Sequence, residues 1–162
     1  MYHIAQVNIA RALASLEDPL LADFADQLDA IYALAESSPG FIWRLRSEDI
    51  SSTVPNFPID ERLFATMSVW ASLDALKAFV YKSAHAQVMR RRREWFVQLK
   101  SPYMALWWVP AGHIPDLTEV QERLNFLRAH GPTPFAFSFT KTFPAPDEVT
   151  SPAAEGTGTE YV

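Results

Sequence analysis

The sequence predicts an α+β protein with a ferredoxin-like βαββαβ core, followed by an added helix and strand. Short segments of alternating apolar and polar residues are separated by longer segments with a helical apolar period, in the order of the split βαβ unit. The chain has 162 residues, the size of one domain with a buried core. Aromatic residues make up 13% of it, which favours a large core, a pocket or an oligomer interface.

The first predicted strand covers residues 2–9. Its odd positions from Ala5 onward are apolar, whereas Gln6 and Asn8 share the other face with Ile4. If that face lines a barrel, two amide side chains enter its interior or rim. Such amides orient a ligand oxygen, or they hold neighbouring backbone.

The first predicted helix begins at Asp18 and Pro19, which suit the N-cap and the first helical position. A Ser-Ser-Pro-Gly sequence ends it, and two short strands follow at residues 41–46 and 62–70. The polar, proline-marked stretch 47–60 between these strands indicates a loop. The expected buried stripe of the helix comprises Leu20, Phe24, Leu28, Ile31 and Ala35.

Ser72 is the predicted N-cap of a second helix, which we expect to bend or break near Ser83. A helical segment then continues from His85 to about Lys100. The strand that follows, at residues 103–109, is almost continuously apolar, which is typical of burial on both faces or at an interface.

The added helix begins near Thr118 and Gln121, which resemble a capping box, and a Gly-Pro pair ends it. Three phenylalanines then alternate with small residues, which predicts a strand at residues 135–140. From position 144 the composition is rich in Pro, Gly, Ala and Thr. We therefore divide the chain into a folded domain, 1–143, and a mostly disordered tail, 144–162.

An antiparallel sheet with helices on one face leaves its other face to be covered. A second copy of the chain is the simplest cover, and it would account for the aromatic strand at residues 103–109. The tryptophans Trp95, Trp107 and Trp108 are then interpreted as anchors of the core and of the interface. The sequence thus predicts a homodimer.

Composition excludes several classes of function. The net charge of −5 argues against a nucleic-acid partner, and without cysteine there is no disulfide, thiol nucleophile or cysteine-based metal site. The four histidines lack metal-ligand spacing, so no metal is predicted. Nucleotide-binding loops and the GxSxG elbow do not occur. With no signal peptide and no apolar run near 18 residues, we expect a cytoplasmic protein without a membrane partner.

The helical segment at residues 84–99 carries two ionisable groups on its apolar side. Turned by about 100° per residue, it places His85 and Arg92 within the arc formed by Val88, Met89, Trp95, Phe96 and Leu99. A buried guanidinium must be paired. Its partner is either a ligand carboxylate or phenolate, or an internal acid among Asp74, Glu36 and Glu61.

The chain is similar to the uncharacterised DUF3291 family over about residues 2–146. The similarity is carried by a tryptophan-rich LWWVP-x-GH motif and by several shorter runs; these segments are 70–81, 93–96, 106–115, 131–132, 136–139 and 143–144, together with His85. The resemblance implies the dimeric α+β barrel superfold, which also holds the antibiotic-biosynthesis monooxygenases. It brings no assigned reaction.

The same superfold contains haem-degrading monooxygenases, which use an asparagine on the first strand, a histidine iron ligand on the second helix and a tryptophan about three turns earlier. Asn8 and His85 match the first two positions. In place of the tryptophan stands Phe79 or Tyr81, and Trp70 lies too early, at the end of a strand. The resemblance therefore covers two of the three residues used in haem-ruffling chemistry and lacks the tryptophan.

These observations define the predicted site. His85 is the candidate base or haem ligand, or else a structural histidine, and Asn8 would polarise an oxygen. The predicted ligand is a small hydrophobic or aromatic molecule, oxidised in a monooxygenase-like reaction with no cofactor or with haem. A non-catalytic binding or dimeric interaction module is the alternative, and an accessory protein that only dimerises is a third. The expected ligand-binding residues are Arg92, Gln6, Trp70, Phe79, Tyr81, Met89 and Phe96.

Overall fold

The structure is a computed structural model that describes residues 1–46, 62–100 and 102–149. Four antiparallel strands form one sheet in the spatial order β2-β3-β1-β4, which is the ferredoxin-like order, so the predicted fold class is confirmed. The strands are β1 (Tyr2–Arg11), β2 (Phe41–Arg44), β3 (Leu63–Trp70) and β4 (Met104–Pro110).

The two faces of this sheet differ in polarity. On β1, Gln6 and Asn8 lie directly opposite Ser68 and Thr66 of β3, and these four polar residues share the face that carries the first helices, called here the helix-side face. The opposite face is apolar and includes Ala5, Val7, Met67, Val69, Ala105 and Trp107.

Helix α1 (Ala22–Ser37) packs on the helix-side face. A 3-10 turn, Pro19–Leu21, precedes it, and the Asp18 carboxylate accepts a hydrogen bond from the Leu20 N–H at 2.9 Å, which confirms the predicted start. Of the predicted stripe, Phe24 and Ala35 are buried and Leu28 and Ile31 are half-buried, whereas Leu20 is 52% exposed and lies outside the core.

The predicted break near Ser83 is confirmed. Helix α2 (Leu73–Lys82) begins after Ser72, whose hydroxyl caps the Ala75 N–H, and ends before Ser83. The Ser83 hydroxyl donates to the Phe79 carbonyl in the last turn of α2 and accepts from the His85 N–H at 3.2 Å. The serine therefore joins α2 to the next helix and fixes where His85 begins it.

The prediction of one helix from His85 to about Lys100 is wrong. The segment contains α3 (His85–Arg90) and α4 (Arg92–Trp95), which meet at a non-helical Arg91. From Phe96 the chain is extended, because its backbone forms a bridge with Ala12 and the Val97 N–H bonds the Arg11 carbonyl at 2.8 Å. Pairing with the end of β1 thus replaces the last helical turn.

Helix α5 (Leu117–His130) covers the apolar face of the sheet. Its N-cap is Asp116, whose carboxylate accepts from the Glu119 N–H at 2.8 Å, so the predicted capping box at Thr118 and Gln121 is wrong by two residues. Its Val120, Leu124 and Leu127 pack against the strands. A second copy of the chain is therefore not needed to bury this face, although the homodimer stays a prediction.

Residues 135–140 do not form the predicted strand. Of these residues, Phe137 alone pairs with β4, through two backbone hydrogen bonds to Leu106 of 2.8 and 2.9 Å. Its neighbours Ala136 and Ser138 instead form bridges with Thr133 and Lys141 in tight turns. A short helix α6 (Pro146–Val149) follows, and its Asp147 lies 3.0 Å from the ammonium of Met1. The predicted loop 47–60 and residues 150–162 of the predicted tail lie outside the described residues.

The turn before β2 approaches α2 very closely. Gly40 has a positive φ of +82°, and its carbonyl accepts from the Ala71 N–H at 2.7 Å. A Cβ at this position would lie 2.6 Å from the Cβ of Ala75 in α2. Only glycine allows this conformation and this approach together. In the described segments no helix has both the length and the apolar character needed to cross a bilayer.

Candidate functional site

A cleft separates the helix-side face of the sheet from α1 and α3. It consists of two adjoining cavities, which share Ile31, Tyr32, Thr66 and His85. The Arg92 cavity encloses about 590 Å³, including its solvent-open part, and is lined among others by Asn8, His85, Met89, Arg92 and Phe96. The Trp70 cavity encloses about 510 Å³ and is lined among others by Gln6, Ser68, Trp70, Phe79 and His85.

His85 stands where the two cavities meet, because Ser83 starts α3 at that point. Its Nδ1 donates a hydrogen bond to the Val80 carbonyl at 3.3 Å, which leaves Nε2 unprotonated in the neutral ring. Burial lowers the pKa of His85 below its usual value of 6.5, and the bond to Val80 opposes this in part. At neutral pH the ring is a base with a free lone pair.

Arg92 lies among aromatic rings. Its guanidinium is 4.4 Å from the ring centre of Tyr103 and 5.7 Å from that of Phe96. Among the described residues it has no hydrogen bond or ion pair, and Glu36 instead bonds Arg44 at 2.7 Å. Of the acids considered as internal partners, Glu61 lies outside the described residues.

Asn8 also faces the Arg92 cavity. Its Oδ1 atom is buried and has no hydrogen-bond partner among the described residues. A buried amide oxygen without a partner costs free energy, so the position is unfavourable unless a ligand or water bonds it. Asn8, His85 and Arg92 thus line one cavity, and each has a polar group that is bonded by none of the described residues.

A second polar group, in the Trp70 cavity, is bonded internally. The Ser68 oxygen accepts hydrogen bonds from Gln6 Nε2 at 3.0 Å and from Trp70 Nε1 at 2.9 Å. Trp70 is fully buried and stacks on Phe79, with ring centres 5.1 Å apart. Phe79 in turn lies 4.9 Å from the imidazole of His85, so aromatic rings connect the end of β3 to the base.

Tyr81 stands apart from the other predicted residues. Its side chain is 58% exposed and contacts the ring of Phe139 at 5.4 Å. It lines a further depression toward β4, which shares only Asn8 and Met89 with the Arg92 cavity. The structure therefore brings the other eight predicted residues to the two cavities of the cleft and places Tyr81 in the adjoining depression.

Sequence reasoning missed Tyr32, Thr66 and Ser68, which also line the cleft. Burial raises the pKa of Tyr32, and the guanidinium of Arg44, 4.2 Å above the ring, opposes that shift. The alternation of Thr66 and Ser68 with apolar neighbours on β3 was the available signal, because it matches the alternation of β1. Tyr32 follows Ile31 of the predicted stripe and carried no signal of its own.

The family model of DUF3291, a domain of unknown function, matches residues 3–153. The chain belongs to the DUF3291 family. No curated protein matches this DUF3291 member significantly in sequence.

Solved structures resemble it at low identity. A protein of unknown function from Nitrosomonas europaea is 16% identical with a TM-score of 0.49, covering 72% of this chain and 97% of its own. SnoaB, a cofactor-independent oxygenase from Streptomyces nogalater, is 15% identical with a TM-score of 0.47, covering 72% of this chain and all of its own.

Proposed function

We propose that the protein binds a small aromatic or hydrophobic molecule with an anionic group in the cleft, and oxidises it in a monooxygenase-like reaction without a cofactor. One observation carries this proposal. Asn8, His85 and Arg92 open onto the same cavity, and each offers a polar group with no partner among the described residues. Convergent polar groups in an apolar cleft are typical of small-molecule sites.

The lining favours an anion. Neither cavity of the cleft is lined by an aspartate or glutamate in the part of the chain that the structure describes, although the whole protein carries a net charge of −5. Arg92 is held against the face of Tyr103, which keeps its donors directed without neutralising its charge. A carboxylate or phenolate on the ligand would complete this pair.

His85 supplies the base for the proposed reaction. Its Nε2 removes a proton from an acidic C–H₂ group of the ligand, and the carbanion adds to O₂ to give a peroxide anion. The imidazolium returns the proton, and the resulting hydroperoxide loses water to leave a ketone. One oxygen atom thus enters the product and the other leaves as water, while the Asn8 amide orients the peroxide oxygen.

Arg92→Met tests the binding step, because methionine keeps the apolar stem and removes the charge. We expect 2-naphthoate, titrated with tryptophan fluorescence as readout, to bind at least about 10-fold more weakly to this variant. Arg93→Met is the matched control, since Arg93 is exposed and lines neither cavity. Equal affinities for both variants and the unmodified protein would contradict the proposal.

Oxygen consumption with anthrone, which has an activated methylene, tests the chemical step. We expect turnover by the unmodified protein and none by His85→Gln, with 2-naphthoate binding preserved in both. Binding without any O₂ consumption would instead support a non-catalytic binding module. That alternative is favoured by the two hydrogen bonds that Ser68 accepts from Gln6 and Trp70, because these polar groups already have partners within the protein.

Haem is the other cofactor to test. The cleft supplies one imidazole, His85, which would hold the iron through Nε2, and a bound haem would supply O₂ activation. The resemblance puts Phe79 or Tyr81 where the haem-degrading enzymes have tryptophan, and of these two Phe79 contacts the His85 ring. No Soret band after adding haemin, or a band unchanged by His85→Ala, rules this version out. A homodimer and a cytoplasmic location stay predictions.

A further inference from the structure

Ser68 is a buried polar residue in the wall of the Trp70 cavity. Its exposed fraction is 8%, and it lies in the middle of the sheet, on β3 opposite Gln6 of β1. Its oxygen accepts two hydrogen bonds, from Gln6 Nε2 at 3.0 Å and from Trp70 Nε1 at 2.9 Å. For a buried hydroxyl, the partner of each lone pair and of the proton can be assigned.

In Ser68 the hydroxyl proton is the one group left without a described partner. A serine hydroxyl has two lone pairs and one proton, and both lone pairs of Ser68 are occupied. No acceptor for its proton occurs within residues 1–46, 62–100 and 102–149. The remaining tetrahedral direction of the oxygen therefore carries a proton that a ligand can accept.

The two bonds to Ser68 come from groups that are themselves fixed. Trp70 is fully buried between Phe79, stacked at 5.1 Å, and Phe41, edge-on at 5.4 Å. The backbone of Gln6 is positioned by the pairing of β1 with β3, which places Gln6 directly opposite Ser68. The direction of the Ser68 proton is thus set before any ligand arrives, which is the condition under which a donor stabilises developing negative charge most strongly.

The base lies in the same cavity. His85 lines it from α3, and the other titratable or charged groups that line it are Tyr32 from α1 and Arg44 from β2. Arg44 is bonded to Glu36 at 2.7 Å, and its guanidinium lies over the Tyr32 ring. A proton removed by His85 would therefore leave negative charge in a cavity where Ser68 is a directed neutral donor.

We propose that the Ser68 hydroxyl binds the oxygen of a phenol or an enolisable ketone, and stabilises the oxyanion that forms when His85 removes a proton. This rests on the proposed function and names its substrate class. From a phenol, the O–H proton passes to His85 Nε2 and its bonding pair stays on the ligand oxygen. From a ketone, the α-C–H proton passes to Nε2, its bonding pair forms the C=C bond of the enolate, and the C=O π pair moves to the ligand oxygen. Ser68 keeps its own proton and donates a hydrogen bond to that oxygen.

The test uses 4-nitrophenol as the probe, because its absorption spectrum separates phenol from phenolate. For the unmodified protein we expect the bound probe to be phenolate at lower pH than the free probe. For Ser68→Ala we expect the ratio of phenolate to phenol in the bound probe to fall by about 10-fold at fixed pH, because a hydrogen bond to a charged oxygen is lost. Ser68→Thr, which keeps the hydroxyl, should restore the ratio.

A merely structural serine would not move this spectrum. If the probe binds and its spectrum is the same in Ser68→Ala as in the unmodified protein, the inference about Ser68 is overturned while the proposed cleft stands. If neither 4-nitrophenol nor 2-naphthoate binds, the proposed function itself fails. Should the alanine variant not fold, Ser68→Cys, a weak donor of similar shape, carries the same comparison.

Discussion

The two faces of the sheet are built from the same strands but differ in polarity and in how their polar side chains are hydrogen-bonded. On the α5 side, the polar Nε1 of Trp107 bonds the Glu119 carboxylate at 2.9 Å, and the surrounding residues are apolar and buried. On the helix side, the buried oxygen of Asn8 and the polar groups of His85 Nε2 and the Arg92 guanidinium are bonded by none of the described residues. The α5 side is filled with apolar side chains, whereas the helix side opens into the cleft.

This difference separates stability from function. The largest single cluster of buried apolar residues lies on the α5 side, although Arg123 Nε on α5 and His3 Nδ1 on β1 are buried there without a partner among the described residues. On the helix side, the Asn8 oxygen without a described partner belongs to a residue that lines an open cleft, and polar groups that converge on a cleft are typical of functional sites. Substitutions on the two faces should therefore have opposite patterns of effect.

The largest effect is expected on the α5 side. Trp107→Ala removes a fully buried ring and leaves Glu119 without its tryptophan donor. We expect the free energy of unfolding to fall by about 3 to 5 kcal/mol, measured by urea denaturation. Naphthoate affinity, extrapolated to conditions where the variant is folded, should not change. A loss below about 1 kcal/mol would show that α5 does not form a core with the sheet.

The matched pair Val7→Asn and Asn8→Leu exchanges the character of two neighbouring residues that point to opposite faces. Val7→Asn puts an amide into an apolar core, and we expect a loss of about 2 to 3 kcal/mol in the free energy of unfolding. Asn8→Leu removes a buried amide oxygen that has no partner in the described part of the chain, so stability should be unchanged or rise by up to about 1 kcal/mol.

Ligand affinity completes the comparison of this pair. We expect Asn8→Leu to weaken naphthoate binding although the protein is no less stable, and folded Val7→Asn to bind as the unmodified protein does. If Asn8→Leu were destabilising by more than about 1 kcal/mol, the Asn8 amide would have an internal structural role, and the contrast between the faces would be wrong at this position.

The smallest expected effect is a dependence of stability on pH. The pKa of His85 is lowered by folding, so below pH 6.5 the unfolded chain takes up a proton that the folded protein resists. Stability should fall as the pH drops from 6.5 toward the folded pKa, and level off below it. Urea denaturation at several pH values should show a smaller decrease for His85→Gln. Identical pH profiles for the two proteins would contradict the burial of this imidazole.

Local patterns in the sequence were enough to predict the four strands of the sheet and most helix starts. The alternation around Gln6 and Asn8 is a property of neighbouring residues, and so is the cap at Asp18. The break at Ser83 followed from the residue type and its position between two helical patterns. These features depend on interactions between residues close in sequence, so they can be predicted without knowing the tertiary structure.

Features set by distant contacts were not predictable in the same way. The helix after His85 stops at Trp95 because residues 96–97 pair with the end of β1, and nothing local indicates that partner. The Phe135–Thr140 pattern is a good strand pattern, yet Phe137 alone reaches β4. The helix-side cleft was predicted from α3 and β1, but Ser68 and Tyr32 enter it from elements that the sequence does not place beside them.

The close approach of Gly40 to α2 has a consequence for the size of the cleft. Helix α2 carries Phe79 and leads through Ser83 to His85, so its distance from the sheet sets how far the base stands from Trp70. A methyl group at Gly40 would occupy the space of Ala75 and push the helix outward. The volume available to a ligand is thus controlled by a turn outside the cleft, and it can be altered without replacing any residue that the ligand would touch.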